Sequence, residues 1–515
     1  MAELPPRGDA EVIAGFDTKG SGVTIDHLSG DQMRSYAREY AGNLTGNFVA
    51  GKWVPASGSD VIEVHDPSLG ELLGTVPASD AADVDQAVNA AAQSQPEWAG
   101  RTPADRTKAL LALADLADEH FDELAALEAV DVGKPVGGVI DEELPGVIDS
   151  IRYFAGAARV LSAPASQDYL SGVTSVLRRE PVGVVAGITP WNYPLLQAIA
   201  KIVPALATGN SVVVKPAETT PYSTARFAEL SAEVLPPGLL NVVFGRGAAA
   251  GDALSRHPLV NLVSFTGSID TGRKVGMAAA DGVKRAVMEL GGNSPVLVFD
   301  DADLEPALDA ISLGGLYNCG QDCMAASRLI VHESVQDQVV EGLTARFERL
   351  VVGDALDSQT SMGPLNSAAQ LDRVTSKISD LPAHARVETG GGRVDRPGYF
   401  FEPTIITGVR QDDEIVQEEI FGPVFTVQTF DDYDEALALA NGTRYGLAGS
   451  LFTTSLATST RAQRDLDFGT VWVNTHLVFG PDLPVSGFRQ SGVGAENGEV
   501  GILEFTRLKH VMVSA

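Results

Sequence analysis

The middle of the chain is punctuated by short apolar runs rich in β-branched residues, at 182–187, 211–214, 259–264 and 294–299. None alternates apolar with polar, so each predicts a strand buried on both faces rather than one face turned to water. Alanine-rich helical stretches lie between them. The clearest starts at Thr220-Pro221, read as an N-cap followed by a proline at the first helical position. Upstream, Leu110, Leu113, Leu116, Ala117, Phe121 and Leu124 recur at helical spacing within a helical region over 80–131, with Pro103 near its start. Gly133-Lys134-Pro135 breaks that run. A short strand pair is predicted over 47–53, and residues 1–45 are polar and weakly periodic. A second alternating series runs from Arg328-Leu329-Ile330-Val331 to Thr470-Val471-Trp472-Val473-Asn474. Strand and helix alternate at this spacing in doubly wound α/β sheets. The expectation is two closely packed α/β domains with a cleft between them.

Composition narrows the class. At 515 residues, 44% hydrophobic and 20% charged, the chain is a folded multidomain protein and not a disordered or fibrous one. No apolar run is long enough for a membrane span, and the first twenty residues lack the apolar core of a signal peptide. Two cysteines fit a reducing compartment, so a cytoplasmic location is expected. The formal charge of −31 argues against nucleic-acid and anionic-membrane partners. Acidity serves solubility in any case, and it would also attract a cationic substrate.

Both cysteines fall in one segment, Asn318-Cys319-Gly320-Gln321-Asp322-Cys323. Cys323 is either a core thiol or a nucleophile. A helix over 324–328 would place it at a helix N-terminus, where free amides favour the thiolate. Cys319, one turn earlier, reads as a packing thiol. Glu289 interrupts the apolar run Ala286-Val287-Met288 and precedes Leu290-Gly291-Gly292. A carboxylate there is costly unless paired or functional, so it is either a structural acid or a general base. Pro190-Trp191-Asn192-Tyr193-Pro194 follows a strand directly, where α/β sheets bind ligands. Asn192 offers an amide to an oxyanion, or else caps a turn. Lys215 and Glu218 also follow a strand, and a Glu there can take ribose hydroxyls. The Gly245–Gly251 stretch containing Gly247 is a weak phosphate-loop signal. Gly267-Ser268 ends another strand ahead of a helix and suits phosphate. No GxSxG, HExxH, Walker A or CxxC pattern occurs, and the eight histidines form no ligand-spaced cluster, so no metal site is expected.

Taken together, PWNYP, VVKPAE, FTGS, MELGGNSP, GQDC, EEIFGPV and WVN, in that order, resemble the aldehyde dehydrogenase superfamily from about Asn47 to the C-terminus. The segments Phe154–Arg159, GQDC, WVNTH and Lys509–Val513 are most similar to bacterial γ-aminobutyraldehyde dehydrogenases. The resemblance implies oxidation of an aldehyde, with 4-aminobutanal the expected type. Succinic semialdehyde, betaine aldehyde and aliphatic aldehydes are the alternatives. A coenzyme A-acylating or a non-catalytic relative is less well supported, because Glu289 and the other motifs are intact. Cys323 would be the nucleophile, the Asn192 amide the oxyanion donor and Glu289 the hydrolytic base. NAD would be held by Lys215 and Glu218 at the adenine ribose, Gly247, Gly267, Ser268 and Trp191 around the pyrophosphate, and Glu419 and Phe421 at the nicotinamide. The implied layout is an extension over 1–45, an NAD-binding domain over 46–165 and 183–288, and a catalytic domain over 289–490. A β oligomerisation element over 166–182 and 491–515 would join a homodimer or homotetramer. Two departures stand out: Pro484-Val485-Ser486-Gly487 replaces a Pro-aromatic-Gly-Gly run, and Ala200 stands where relatives often carry tryptophan. Asp322 either draws a substrate ammonium or sits as an acid at a helix start.

Overall fold

A computed structural model describes residues 28–161 and 166–514. The expectation for residues 1–45 therefore falls partly outside the described residues. Within it, Gly30–Asn43 is a helix with a Ser29 capping box, and Met33, Ala37 and Ala41 are buried in the first hydrophobic core. Arg34 on this helix pairs with Asp66 at 2.9 Å and Asp354 at 2.7 Å, tying three distant segments together.

The apolar runs are strands of two large sheets. In the first, the spatial order is Gly492–Val493, Arg285–Leu290, Val260–Gly267, Val184–Ile188, Ser211–Lys215, Leu240–Val242, Asn47–Val49 and Lys52–Val54. Its centre, from Arg285–Leu290 to Leu240–Val242, is parallel, and the outer strands pair antiparallel. Val212, Val213 and Val214 are wholly buried, as a strand covered on both faces requires. The chain winds outward in both directions from Val184–Ile188, so the topological switch lies between it and Val260–Gly267. Ligands bind at the carboxyl ends of strands beside such a switch. Trp191-Asn192 and Gly267-Ser268 emerge at that place.

The second sheet runs Arg386–Thr389, Thr404–Thr407, Val424–Phe430, Arg328–His332, Pro295–Val298, Ala448–Phe452 and Thr470–Val473, parallel except for its first member. A third sheet of Thr506–Ser514, Val173–Pro181 and Gln167–Leu170 stands apart from both. Among the described residues no helix is long and apolar enough to cross a membrane.

The helix expected from Thr220 starts two residues later, at Tyr222, and Thr220 does not cap it. Its Oγ1 is buried without a partner, while the Tyr222 N–H is taken at 2.7 Å by Asp131, 91 residues earlier in the sequence. A tertiary carboxylate has displaced the local cap, which sequence proximity does not reveal.

Candidate active site

Two backbones meet where the carboxyl edge of the first sheet adjoins the amino edge of the second. Glu289 is the penultimate residue of Arg285–Leu290, and Gly291-Gly292 carries the chain across to Pro295–Val298. A Cβ on Gly292 would lie 1.9 Å from the Cys323 carbonyl oxygen, and one on Gly291 would lie 2.4 Å from Glu419 Oε2. Only glycine permits this approach. The Gly292 N–H donates to Glu419 Oε1 at 2.9 Å, so the first sheet, the Cys323 turn and the Glu419 loop converge there.

Cys323 does not open a helix. It lies in a turn that leads directly into the strand Arg328–His332. Asp322 organises this turn: its Oδ1 accepts the Met324 N–H at 2.6 Å and its carbonyl accepts the Ala325 N–H at 3.1 Å. The expected helix-dipole stabilisation of a thiolate is therefore missing. Burial, then the negative charges of Glu289, Asp322 and Glu419, push the Cys323 thiol well above its ordinary value. Asp322 is likewise not a helix-start acid; Tyr193 Oη donates to its Oδ2 at 2.6 Å. Asn318, Cys319 and Gly320, just ahead of the turn, all have positive φ, of 50°, 58° and 69°. Backbone strain of roughly 1–3 kcal/mol per non-glycine residue is held by the surrounding packing. Cys319 is 1% exposed and packs in the second core.

Glu289 is 4% exposed and neither carboxylate oxygen has a hydrogen-bond partner of ordinary geometry. A structural acid would be paired, so that reading fails. Burial, then the charge of Glu496, pushes Glu289 up to about 8, against the pull of the nearby Cys323 thiol and Lys201. Asn192 does not cap a turn: its Nδ2 donates to the Gln321 carbonyl at 2.9 Å, and Asn318 Nδ2 donates to the Asn192 carbonyl at 2.9 Å. Its amide is thereby fixed against the Cys323 turn.

The remaining predicted residues form a second cluster along the carboxyl edge of the first sheet. Lys215 Nζ is held by the carbonyls of Pro216 at 2.7 Å and Gly245 at 3.0 Å, and lies 3.8 Å from Glu218 Oε1. That same oxygen accepts the Gly247 N–H at 2.6 Å, so Gly247 belongs with Lys215 and Glu218. The Gly247–Gly251 segment is a wide helical turn and not an open phosphate loop. Ser268 is exposed and caps the helix Ile269–Asp281. The ring edges of Trp191 and Phe421 meet at 5.2 Å between centroids. Burial raises Glu419 to about 7. A half-buried carboxylate beside a buried ammonium, a capped helix start and an edge-to-face aromatic pair fit a dinucleotide.

Three residues escaped the sequence reading. Lys201 is fully buried on the helix Pro194–Ala207, and its Nζ donates to Glu496 at 2.7 Å, Thr266 at 2.7 Å and Gln197 at 3.2 Å. A lone lysine among apolar helix residues was the available signal. Glu496 comes from the far end of the chain, and no local pattern announces it. His476 shares a hydrogen bond with Ser450 Oγ and donates from Nε2 to the Met324 carbonyl at 2.8 Å, and burial lowers it to about 4. It is a neutral brace behind the Cys323 turn. Val485 packs with Met324, Leu447, Ala448 and Trp472 beside Cys323.

Comparison with known proteins agrees with this geometry. Residues 53–511 match the aldehyde dehydrogenase family. The chain is similar to betaine aldehyde dehydrogenase from Staphylococcus aureus in complex with NAD+, at 38% identity and a TM-score of 0.90 over 94% of this chain and 97% of that one. A putative aldehyde dehydrogenase from Burkholderia cenocepacia is 39% identical, with a TM-score of 0.90 over 92% and 97% of the two chains. PnpE from Pseudomonas sp. WBC-3 is 39% identical, with a TM-score of 0.89 over 91% and 97%.

Proposed function

Since the chain belongs to the aldehyde dehydrogenase family, we propose that it oxidises a cationic small aldehyde to the carboxylic acid with NAD, using Cys323 as nucleophile. The observation that carries the mechanism is the unpaired, buried Glu289 beside the Cys323 thiol. The Cys323 thiol releases its proton to solvent water and Sγ adds to the aldehyde carbon, forming a thiohemiacetal. The Asn192 amide and the Cys323 N–H take the oxyanion. NAD, when bound, accepts the hydride, leaving a thioester on Cys323. Glu289 then removes a proton from the attacking water, and the thioester breaks to acid and thiol. Lys215, Glu218 and Gly247 would hold the adenosine end, Gly267, Ser268 and Trp191 the phosphates, and Glu419 and Phe421 the nicotinamide end. Glu218 favours NAD over NADP, because its carboxylate would repel a 2′-phosphate. Purified Cys323→Ala should form no NADH with any aldehyde; retained turnover would remove the assignment.

For the substrate, 4-aminobutanal is our first reading, on the likeness of WVNTH and GQDC to γ-aminobutyraldehyde dehydrogenases. Betaine aldehyde is the second, favoured by the similarity to the S. aureus enzyme. Acids dominate the surroundings of Cys323, which supports a cation in both readings and disfavours succinic semialdehyde. Asp322 is engaged by Tyr193 and Met324, so it acts on an ammonium through its field and not by direct pairing. Comparing kcat/KM for 4-aminobutanal, betaine aldehyde, succinic semialdehyde and a simple aliphatic aldehyde tests this. The highest value for an uncharged or anionic aldehyde would overturn it.

The first sheet would be the NAD-binding domain, the second the catalytic domain and the third an oligomerisation element. Leu170, Leu508, Met512 and Val513 on that third sheet are each more than half exposed, which supports burial against a second copy.

A further inference from the structure

Behind the turn that carries Cys323 lies a second line of polar groups that the reaction itself does not use. Tyr193 is buried, and its hydroxyl donates to Asp322 Oδ2 at 2.6 Å. Asp322 Oδ1 accepts the Met324 N–H, also at 2.6 Å. A carboxyl group whose two oxygens both receive donors is arranged as an anion. Lys134 Nζ sits 3.9 Å from the centroid of the Tyr193 ring and is ion-paired with Glu143, with both side chains buried. A cation over the ring draws density from the phenol and strengthens its O–H as a donor. Next to Tyr193, Asn192 grips the same turn through the Gln321 carbonyl. One loop therefore holds the turn at two consecutive residues, Gln321 and Asp322.

We propose that Tyr193, backed by Lys134, and Asp322 form a positioning pair that locks the Cys323 turn and places a fixed negative charge beside the thiol. This rests on the reading of Cys323 as nucleophile. The charged groups facing Cys323 are Glu289 from the strand Arg285–Leu290, Asp322 from its own turn and Glu419 from the loop after Glu414–Gln417, and all are acids. Those facing Asp322 are Tyr193, Lys134 and Glu143, with Glu289, Tyr317 and Glu419 also within its field. Burial raises Asp322 as well, but it is the member of the first group with donors on both oxygens, which oppose that rise, so it keeps its charge where Glu289 and Glu419 take up protons more readily. The free enzyme thus holds its nucleophile as a thiol, which resists alkylating and oxidising agents.

Asp322→Asn separates position from charge. The Asn oxygen still accepts from Met324 and its amide faces the Tyr193 oxygen, but the negative charge is gone. In the free full-length enzyme, the rate of Cys323 alkylation by iodoacetamide is followed against pH, with mass mapping to distinguish it from Cys319. The inflection should move to lower pH in Asp322→Asn, with the rate at pH 7 rising about tenfold, the equivalent of one pKa unit. Tyr193→Phe lets Asp322 take up a proton and should shift the profile in the same direction, but only where Asp322 is present. In the Asp322→Asn background it should change nothing. An unshifted Asp322→Asn profile, or a Tyr193→Phe shift of equal size in both backgrounds, would overturn the proposal. Asp322→Ser, whose hydroxyl can still accept from Met324, gives the same readout if the Asn variant does not fold. Loss of the underlying reading shows separately, as aldehyde turnover retained by Cys323→Ala.

Discussion

At the residue scale the reactive groups are defined by what they lack. Glu289 has no partner of ordinary hydrogen-bond geometry beyond the nearby Cys323 thiol, and its carboxyl is held up to about 8 by burial and by Glu496. Below that pH it carries a proton and cannot act as a base; above it the carboxylate is free. Hydrolytic release of the acyl group should therefore rise as pH increases through about 8 and level off beyond it. Glu289→Gln should abolish that inflection. Glu496→Gln removes the charge that opposes ionisation of Glu289, so the inflection should move to lower pH; an inflection that stays in place would show that the two are not coupled. Cys323 and Glu289 were legible in the sequence because each broke a local pattern. The environment of Cys323 was not, since it depended on a helix that does not form. Burial and three acids set its charge state; Asp322 is its neighbour in sequence, but only the fold brings Glu289 and Glu419 to it.

The central elements were legible because strands buried on both faces leave continuous apolar runs, as 211–214 does within Ser211–Lys215. The misread elements are those where a distant residue replaces a local signal. Asp131 takes over the capping of Tyr222–Ser231 from Thr220, and residues 324–327, expected to be helical, form a turn and an irregular stretch ahead of the strand Arg328–His332. The Cys323 turn depends on Asn192 and Tyr193 from one loop and on His476 from another segment. Gly291-Gly292, by contrast, is a local pattern that matches its structure, since a glycine pair permits the close approach to the Cys323 carbonyl. Gly292→Ala should force that carbonyl aside, cost roughly 1–3 kcal/mol of stability as an overpacked site, and lower turnover more than tenfold. Urea denaturation and kcat measured on the same preparation check both parts; a variant with unchanged kcat would show that the Cys323 turn tolerates displacement.

For the whole molecule, the two sheets meet edge to edge, so the proposed dinucleotide groups and the thiol lie along one line of contact. The third sheet adds nothing to that line, and its apolar face is turned outward, with Leu508 53% and Met512 52% exposed. Leu508→Glu with Met512→Glu should yield a smaller species by light scattering while the fold, followed by circular dichroism, persists; an unchanged mass would place the interface elsewhere. The account as a whole rests on division of labour between Cys323 and Glu289. Rapid mixing of Glu289→Gln with NAD and a good aldehyde tests it most directly. The account predicts a burst of NADH in proportion to enzyme, followed by a steady rate about 10²–10⁴-fold below that of the unaltered protein, as expected on losing a general base. A slow linear trace without a burst, or an unaltered steady rate, would contradict it.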